Sequence, residues 1–172
     1  MNPAPRVFRQ QLLGVVPRLR RYARSLVFED AQSDDLVQTT LERALTRWQQ
    51  FDPQRDMLAW LLSIAHNAHQ DMRRKQARMQ SMDPAQLQAA QDSLGGDAGV
   101  DVGLRMDLLA ALARLSPEQR EPLLLVCVEQ FSYAEVAEVM HIPVGTVMSR
   151  VCRARATLRG LLDAPAKLRR VV

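Results

Sequence analysis

The chain has 172 residues, 47% hydrophobic and 24% charged with only 5% aromatic, and a net charge of +4. That apolar content suits one or two small packed domains and excludes a disordered chain. No apolar run approaches the roughly 20 residues needed to span a bilayer and nothing at the N-terminus resembles a signal peptide, so a cytoplasmic protein without membrane insertion is expected.

Leu, Ala, Arg and Gln dominate, and β-branched residues rarely alternate with polar ones, so the expected class is all-α. Charge is unevenly divided, about +5 over residues 1–80, −4 over 81–107 and +3 over 108–172. Two basic modules on either side of an acidic connector suggest two contacts with a polyanion, because neutralising phosphates supplies sequence-independent affinity.

In chain order, residues 7–28 read as a first helix carrying Leu12, Leu13, Val16, Leu19, Tyr22, Ala23 and Leu26, with Pro17 as an expected kink. Ser33 is the expected cap of a second helix, with Asp34 and Asp35 in the first turn, where the helix dipole favours negative charge. Its core stripe is Leu36, Val37, Thr40, Leu41, Ala44, Leu45 and Trp48, leaving Asp35, Gln38, Thr39, Glu42 and Arg43 outward as either a partner surface or a solvated face.

Phe51 to Gln54 break the pattern before a helix over 57–78 that is apolar first and basic last. Leu58, Leu61, Leu62, Ala65, Ala68 and Met72 can fill a core. Asn67, Gln70, Asp71, Arg73, Arg74 and Lys75 offer amide and phosphate-binding chemistry that suits single-stranded nucleic acid, with Trp60 either a stacking surface or core. His66, His69 and Asp71 have a metal-compatible spacing, but no further ligand cluster supports it, and no cofactor is expected. No nucleophile motif or glycine-rich phosphate loop is present, so no enzymatic activity is expected.

Residues 81–103 are rich in Gln, Asp, Ala and Gly and read as a flexible linker. A segment of about 25 residues typically spans roughly 25 to 30 Å and stretches to about 80 Å, so two domains could occupy distant DNA sites. The domains are then 1–80 and 104–165, followed by a basic tail at 166–172.

In the second domain Ser132 and Glu135 stand three apart as a capping box, Pro143 breaks the chain, and Val144, Gly145 and Thr146 open a second helix. This is a helix-turn-helix pattern. Val147, Val151, Ala154, Leu158, Leu161 and Leu162 share one side; Thr146, Ser149 and Arg153 lie opposite, with Arg150 and Arg155 on the flanks. The outward side suits the major groove of DNA, where arginine pairs with guanine and hydroxyls reach base edges. Cys127 and Cys152 lie far apart in apolar helical patterns and are expected to be buried thiols, with Cys152 nearer the outward side.

Taken in order, DDLVQTTLERAL, AWLLSIAHNAHQDMRR, LSPEQREPLLL and FSYAEVAEVMHIPVGTVMSRVCRARATLR resemble a bacterial RNA polymerase sigma factor of the extracytoplasmic-function (ECF) family, within the sigma-70 superfamily. The resemblance covers nearly the whole chain and implies a sigma2-like domain, a flexible linker and a sigma4-like helix-turn-helix domain. It implies that Asp34, Asp35, Gln38 and Glu42 dock on core RNA polymerase. It also implies that Asn67, Gln70, Asp71, Arg73, Arg74 and Lys75 serve the -10 element, Asn67 helping to hold an unpaired base flipped at an unstacking cost of a few kcal/mol. Thr146, Ser149, Arg150, Arg153 and Arg155 would read the -35 element, and an anti-sigma factor is an expected partner. Met148 and Cys152 depart from the common family pattern, so the resemblance does not fix the favoured -35 sequence. The rival reading is a dimeric regulator whose N-terminal domain senses a ligand and whose C-terminal domain binds a palindrome.

Overall fold

The structure is a computed structural model and describes residues 4–82 and 102–162. Among them all regular structure is helical: α1 (Arg6–Val27), α2 (Asp30–Thr46), a single 3-10 turn (Trp48–Gln50), α3 (Met57–Met82), α4 (Val102–Ala113), α5 (Pro117–Cys127), α6 (Tyr133–Met140) and α7 (Val144–Leu162).

The first domain is α1, α2 and α3 packed on one another. Leu12, Leu19, Tyr22, Ala23 and Leu26 of α1 meet Leu36, Val37 and Ala44 of α2 and Leu58, Leu61, Leu62 and Ala65 of α3. Leu13, expected in this stripe, is 69% exposed, because at 100° per residue it lies about a quarter turn or more off the Leu12, Leu19, Leu26 line. Leu45 is likewise exposed. Phe8, Phe51 and Trp60 form an edge-on aromatic cluster with centroids 5.2 to 5.9 Å apart, so Trp60 packs and does not offer a free stacking face.

α2 starts earlier than expected. Phe28 takes a left-handed backbone (φ 63) that ends α1 sharply, Glu29 is extended, and Asp30 supplies the first-turn carboxylate. The Ser33 amide already bonds to the Glu29 carbonyl at 2.8 Å, so Ser33 lies inside the helix rather than capping it, and Asp34 and Asp35 lie beyond its first turn.

The second domain packs α4, α5 and α6 against α7. Ser116 opens α5 as a capping box, its amide donating to the Gln119 side chain at 3.4 Å, with Pro117 following where a missing amide costs nothing. α4 begins at Val102, inside the segment read as linker; residues 83–101 and the expected basic tail at 166–172 lie outside the described residues.

The two domains are docked, α1 against α5 and α3 against α6, and their buried residues form one continuous cluster.

Candidate nucleic-acid interface

The helix-turn-helix is built as its residues dictate. Glu135 accepts from the Ser132 amide and hydroxyl, both at 2.7 Å, and the Glu135 amide donates back to Ser132 Oγ at 3.2 Å. Those bonds hold the exposed Glu135 carboxyl below its ordinary range. α6 ends at His141 in the left-handed conformation (φ 54), and the Ile142 amide returns to the Ala137 carbonyl at 3.1 Å. Pro143 then prevents α6 from continuing, and its carbonyl accepts the Thr146 and Val147 amides in the first turn of α7.

On α7, Val147, Val151 and Ala154 are at most 1% exposed and fix the helix to its domain. Ser149 and Arg153 are exposed on the opposite side, where the Arg153 guanidinium folds onto the Ser149 carbonyl and hydroxyl at 3.2 and 3.4 Å. Thr146 is half-buried beside them. Arg150 shares this side but is half-buried and pairs with Glu118 of α5 at 3.6 Å. Arg155 stands apart from these four, over Cys127 Sγ at 3.7 Å, on the flank that also carries Met148 and Cys152. Leu162, assigned to the packed side by the sequence pattern, is 45% exposed at the end of the helix.

Both cysteines are exposed, against the expectation of buried thiols. Cys127 is the last residue of α5, where the chain turns away with Val128 also exposed, and Cys152 lies on the outward side of α7.

On α3 the expected single-strand residues divide between two faces. Asn67, Asp71, Arg74 and Lys75 are exposed, and Gln70 is half-buried among them. Asp71 is paired to Arg43 of α2 at 3.0 Å. Arg73 instead shares a face with His66 and His69, turned toward the second domain, and is half-buried there. The Arg73 charge, after the larger effect of burial, helps lower the Arg120 guanidinium to about 10.

The outward face of α2 is as exposed as expected at Asp34, Asp35, Gln38 and Glu42, and Gln38 donates to Glu42 at 2.9 Å. Asp35, Gln38 and Glu42 line one wall of an open groove whose other wall is Met72, Lys75 and Met79 of α3.

Sequence reasoning missed the residues of the domain joint. Glu121 of α5 is 1% exposed and accepts from the Tyr22 hydroxyl and from His66 Nδ1, both at 2.8 Å, with His69 Nδ1 3.9 Å from its second oxygen. Burial alone would raise the Glu121 pKa; the hydrogen bond from His66 and the adjacent His69 outweigh it and hold the carboxyl at about 2. The same burial, with Glu121 beside it, pushes Tyr22 well above its ordinary range, so the phenol stays a donor.

Residues 105–158 match the sigma-70 region 4 family, and residues 12–66 match the sigma2 domain of PhyR. The chain is 37% identical to the ECF RNA polymerase sigma factor EcfG of Rhodopseudomonas palustris, covering 90% of this chain and 84% of that one. It is 31% identical to the sigma factor CarQ of Myxococcus xanthus, covering 85% and 83%. In structure it resembles the sigma factor RpoE of Bartonella quintana, solved with the anti-sigma factor NepR, at a TM-score of 0.80 and 33% identity over 94% of this chain and 99% of that one.

A three-helix domain carrying an acidic α2 face, joined to a helix-turn-helix with an open basic face, defines a two-domain sigma factor. The chain belongs to the extracytoplasmic-function family of RNA polymerase sigma factors. Both halves carry the match, which removes the rival reading of a ligand sensor attached to a DNA reader.

Proposed function

We propose that this sigma factor binds core RNA polymerase through the α2 face and directs initiation by reading two promoter elements, α7 the -35 element and α3 the -10 element. The observation that carries the reading is the open side of α7, where Ser149 and Arg153 are exposed, bonded only within their own helix, opposite a rigidly buried Val147, Val151 and Ala154 stripe. A reading helix needs that combination: a fixed axis and solvent-exposed donors turned toward the groove.

On α3, Asn67 holds a flipped base while Arg74 and Lys75 track phosphates, and Asp34, Asp35, Gln38 and Glu42 present negative and amide groups to the polymerase. Residues 1–80 and 104–165 act as the two functional domains, with 81–103 as linker. The protein performs no catalysis of its own; binding energy from two DNA contacts and the polymerase surface positions the duplex and favours strand opening. It works in the cytoplasm, beside the polymerase and the DNA it serves; among the described residues no helix is long and apolar enough to cross a membrane. An anti-sigma factor restrains it, as suggested by the complex of the Bartonella relative.

The test is transcription in vitro with sigma-free core polymerase and mapping of start sites. Initiation from an asymmetric two-part promoter that requires the added protein is the expected result. Initiation no higher than with core alone, together with dimeric binding to a palindrome, overturns the reading.

A further inference from the structure

α7 carries Arg150, Arg153, Arg155 and Arg159, and no residue from Val144 to Leu162 is acidic. Much of this charge is already engaged outside the helix. Arg150 is half-buried against Glu118 of α5 at 3.6 Å, and Arg155 stands over Cys127 Sγ at 3.7 Å with Tyr133 beside it. Arg159 lies in the last turn. Arg153 bonds only within α7, so the first three turns offer a single arginine for a guanine.

What borders that arginine is apolar. Val144, Met148 and Cys152 recur every four residues and form one stripe, all three exposed, Met148 by 52%. At 100° per residue, Cys152 lies about 60° and Met148 about 100° round the helix from Ser149, with Arg153 about 40° the other way. The stripe therefore adjoins the polar donors directly, opposite or beside nothing that covers it: a Cβ built on Gly145, between Met148 and Ser149 on the wheel, meets nothing within 4 Å. Scattered exposed apolar residues are ordinary on any protein. A stripe beside exposed donors on a helix free of carboxylates is not scattered.

Met148 has no hydrogen-bond donor and Cys152 only a weak one, so neither tells bases apart by hydrogen bonding. The major groove displays one methyl group, at C5 of thymine. A methionine is unbranched and polarizable, and a thiol behaves as a small hydrophobe, so both are favoured in covering that methyl. Along the axis the two side chains start about 6 Å apart, close to two base-pair steps of about 3.4 Å each. Arginines around the stripe, unrelieved by any acidic group, match a polyanion and make duplex DNA its occupant rather than an apolar protein face.

We propose that Met148 and Cys152 are specificity-determining residues that read thymine methyl groups in the upstream duplex, beside a guanine contact made by Arg153. The inference rests on the proposed role of α7 as the -35 reader and names the bases that this particular helix prefers.

The experiment uses the full chain bound to core polymerase. The wild-type complex first selects its upstream element from duplexes randomised there, and each thymine of that element, on either strand, is then replaced by uracil, which lacks only the methyl. Competition binding is expected to show one or two thymines at which uracil weakens the complex about three- to fivefold, the effect of one covered methyl. Cys152→Ser and Met148→Gln keep the side-chain size, change exposed positions, and are checked for unchanged helicity by circular dichroism. Each is expected to abolish the uracil penalty at one thymine, while Arg153→Ala removes the guanine preference and leaves the uracil penalties in place.

A selected element without thymine, uracil that binds as well as thymine at every position, or penalties that persist in both variants overturns the methyl contact. Indifference to uracil combined with weaker binding of both variants to core polymerase alone also overturns it and assigns the stripe to a protein surface. Selection of no upstream element by the wild type is the separate failure of the -35 reading itself, and the methyl contact falls with it.

Discussion

α3 and α7 share a plan, an apolar stripe held in the core with arginines around the remainder, yet the docked molecule treats them differently. α7 keeps Ser149 and Arg153 toward solvent, its packed side held by α4, α5 and α6 of its own domain. α3 is engaged on three sides: by its core at Leu61 and Leu62, by Arg43 at Asp71, and by the second domain along His66, His69 and Arg73. The helix proposed to read duplex is open to solvent, whereas the helix proposed to hold single-stranded DNA is partly covered by the second domain.

The largest expected effect tests whether the two regions form one cooperative body. Leu61→Ala and Leu125→Ala each remove a fully buried side chain and should destabilise by about 2 to 5 kcal/mol in denaturant unfolding. Because the buried cluster is continuous through the joint, both should shift one shared transition; two transitions, each sensitive to one variant, would break the comparison drawn above.

Next comes acid. Glu121 has its carboxyl held at about 2, below its ordinary 4.5, so its contribution is complete above that ordinary value and is lost as pH falls from about 4.5 toward 2. Tyr22, His66 and His69 face it across the joint, and Arg120 precedes it on α5. The wild type should lose a few kcal/mol more than Glu121→Gln over that interval, measured as denaturant midpoints at pH 6, 4 and 3. Equal losses would place the acid sensitivity elsewhere.

The face of α7 is sharpened by a pair of arginines. Arg153→Ala should weaken binding of the polymerase complex to an upstream duplex by about 1 to 3 kcal/mol. Arg155→Ala should cost less, since Arg155 stands over Cys127 on another side of the helix. The reverse order would centre the reading face on the Met148 and Cys152 flank. Smallest is Ser132→Ala, which removes the capping box of α6 and should lower stability by about 1 kcal/mol in the same unfolding assay.

Local chemistry was readable in the sequence, and non-local chemistry was not. The helix-turn-helix followed from a capping pair, a proline and a 3.6-residue stripe, all within about thirty residues, and the structure keeps the cap, the break and the Val147, Val151 and Ala154 part of the stripe. Several local expectations failed at element ends, Leu162 of the α7 stripe among them. Ser33 looked like a cap, but Glu29 and Asp30 had already started α2, and Cys127 fitted an apolar stripe but sits where α5 runs out. The joint left no local signature. Glu121 bonds Tyr22 across 99 positions and His66 across 55, and Glu129 bonds Arg18 across 111. In sequence the two histidines had a metal-compatible spacing that no further ligand supported; in space they face a carboxylate contributed by the other domain.

The groove between Asp35, Gln38 and Glu42 on one side and Met72, Lys75 and Met79 on the other places two tasks on a single rod. Lys75 lines that groove while neighbouring Arg74 points to solvent, so a protein seated there presses on the same helix that a melted strand would follow. By thermodynamic reciprocity, whatever factor the seated protein adds to strand affinity, the strand returns to the grip on that protein.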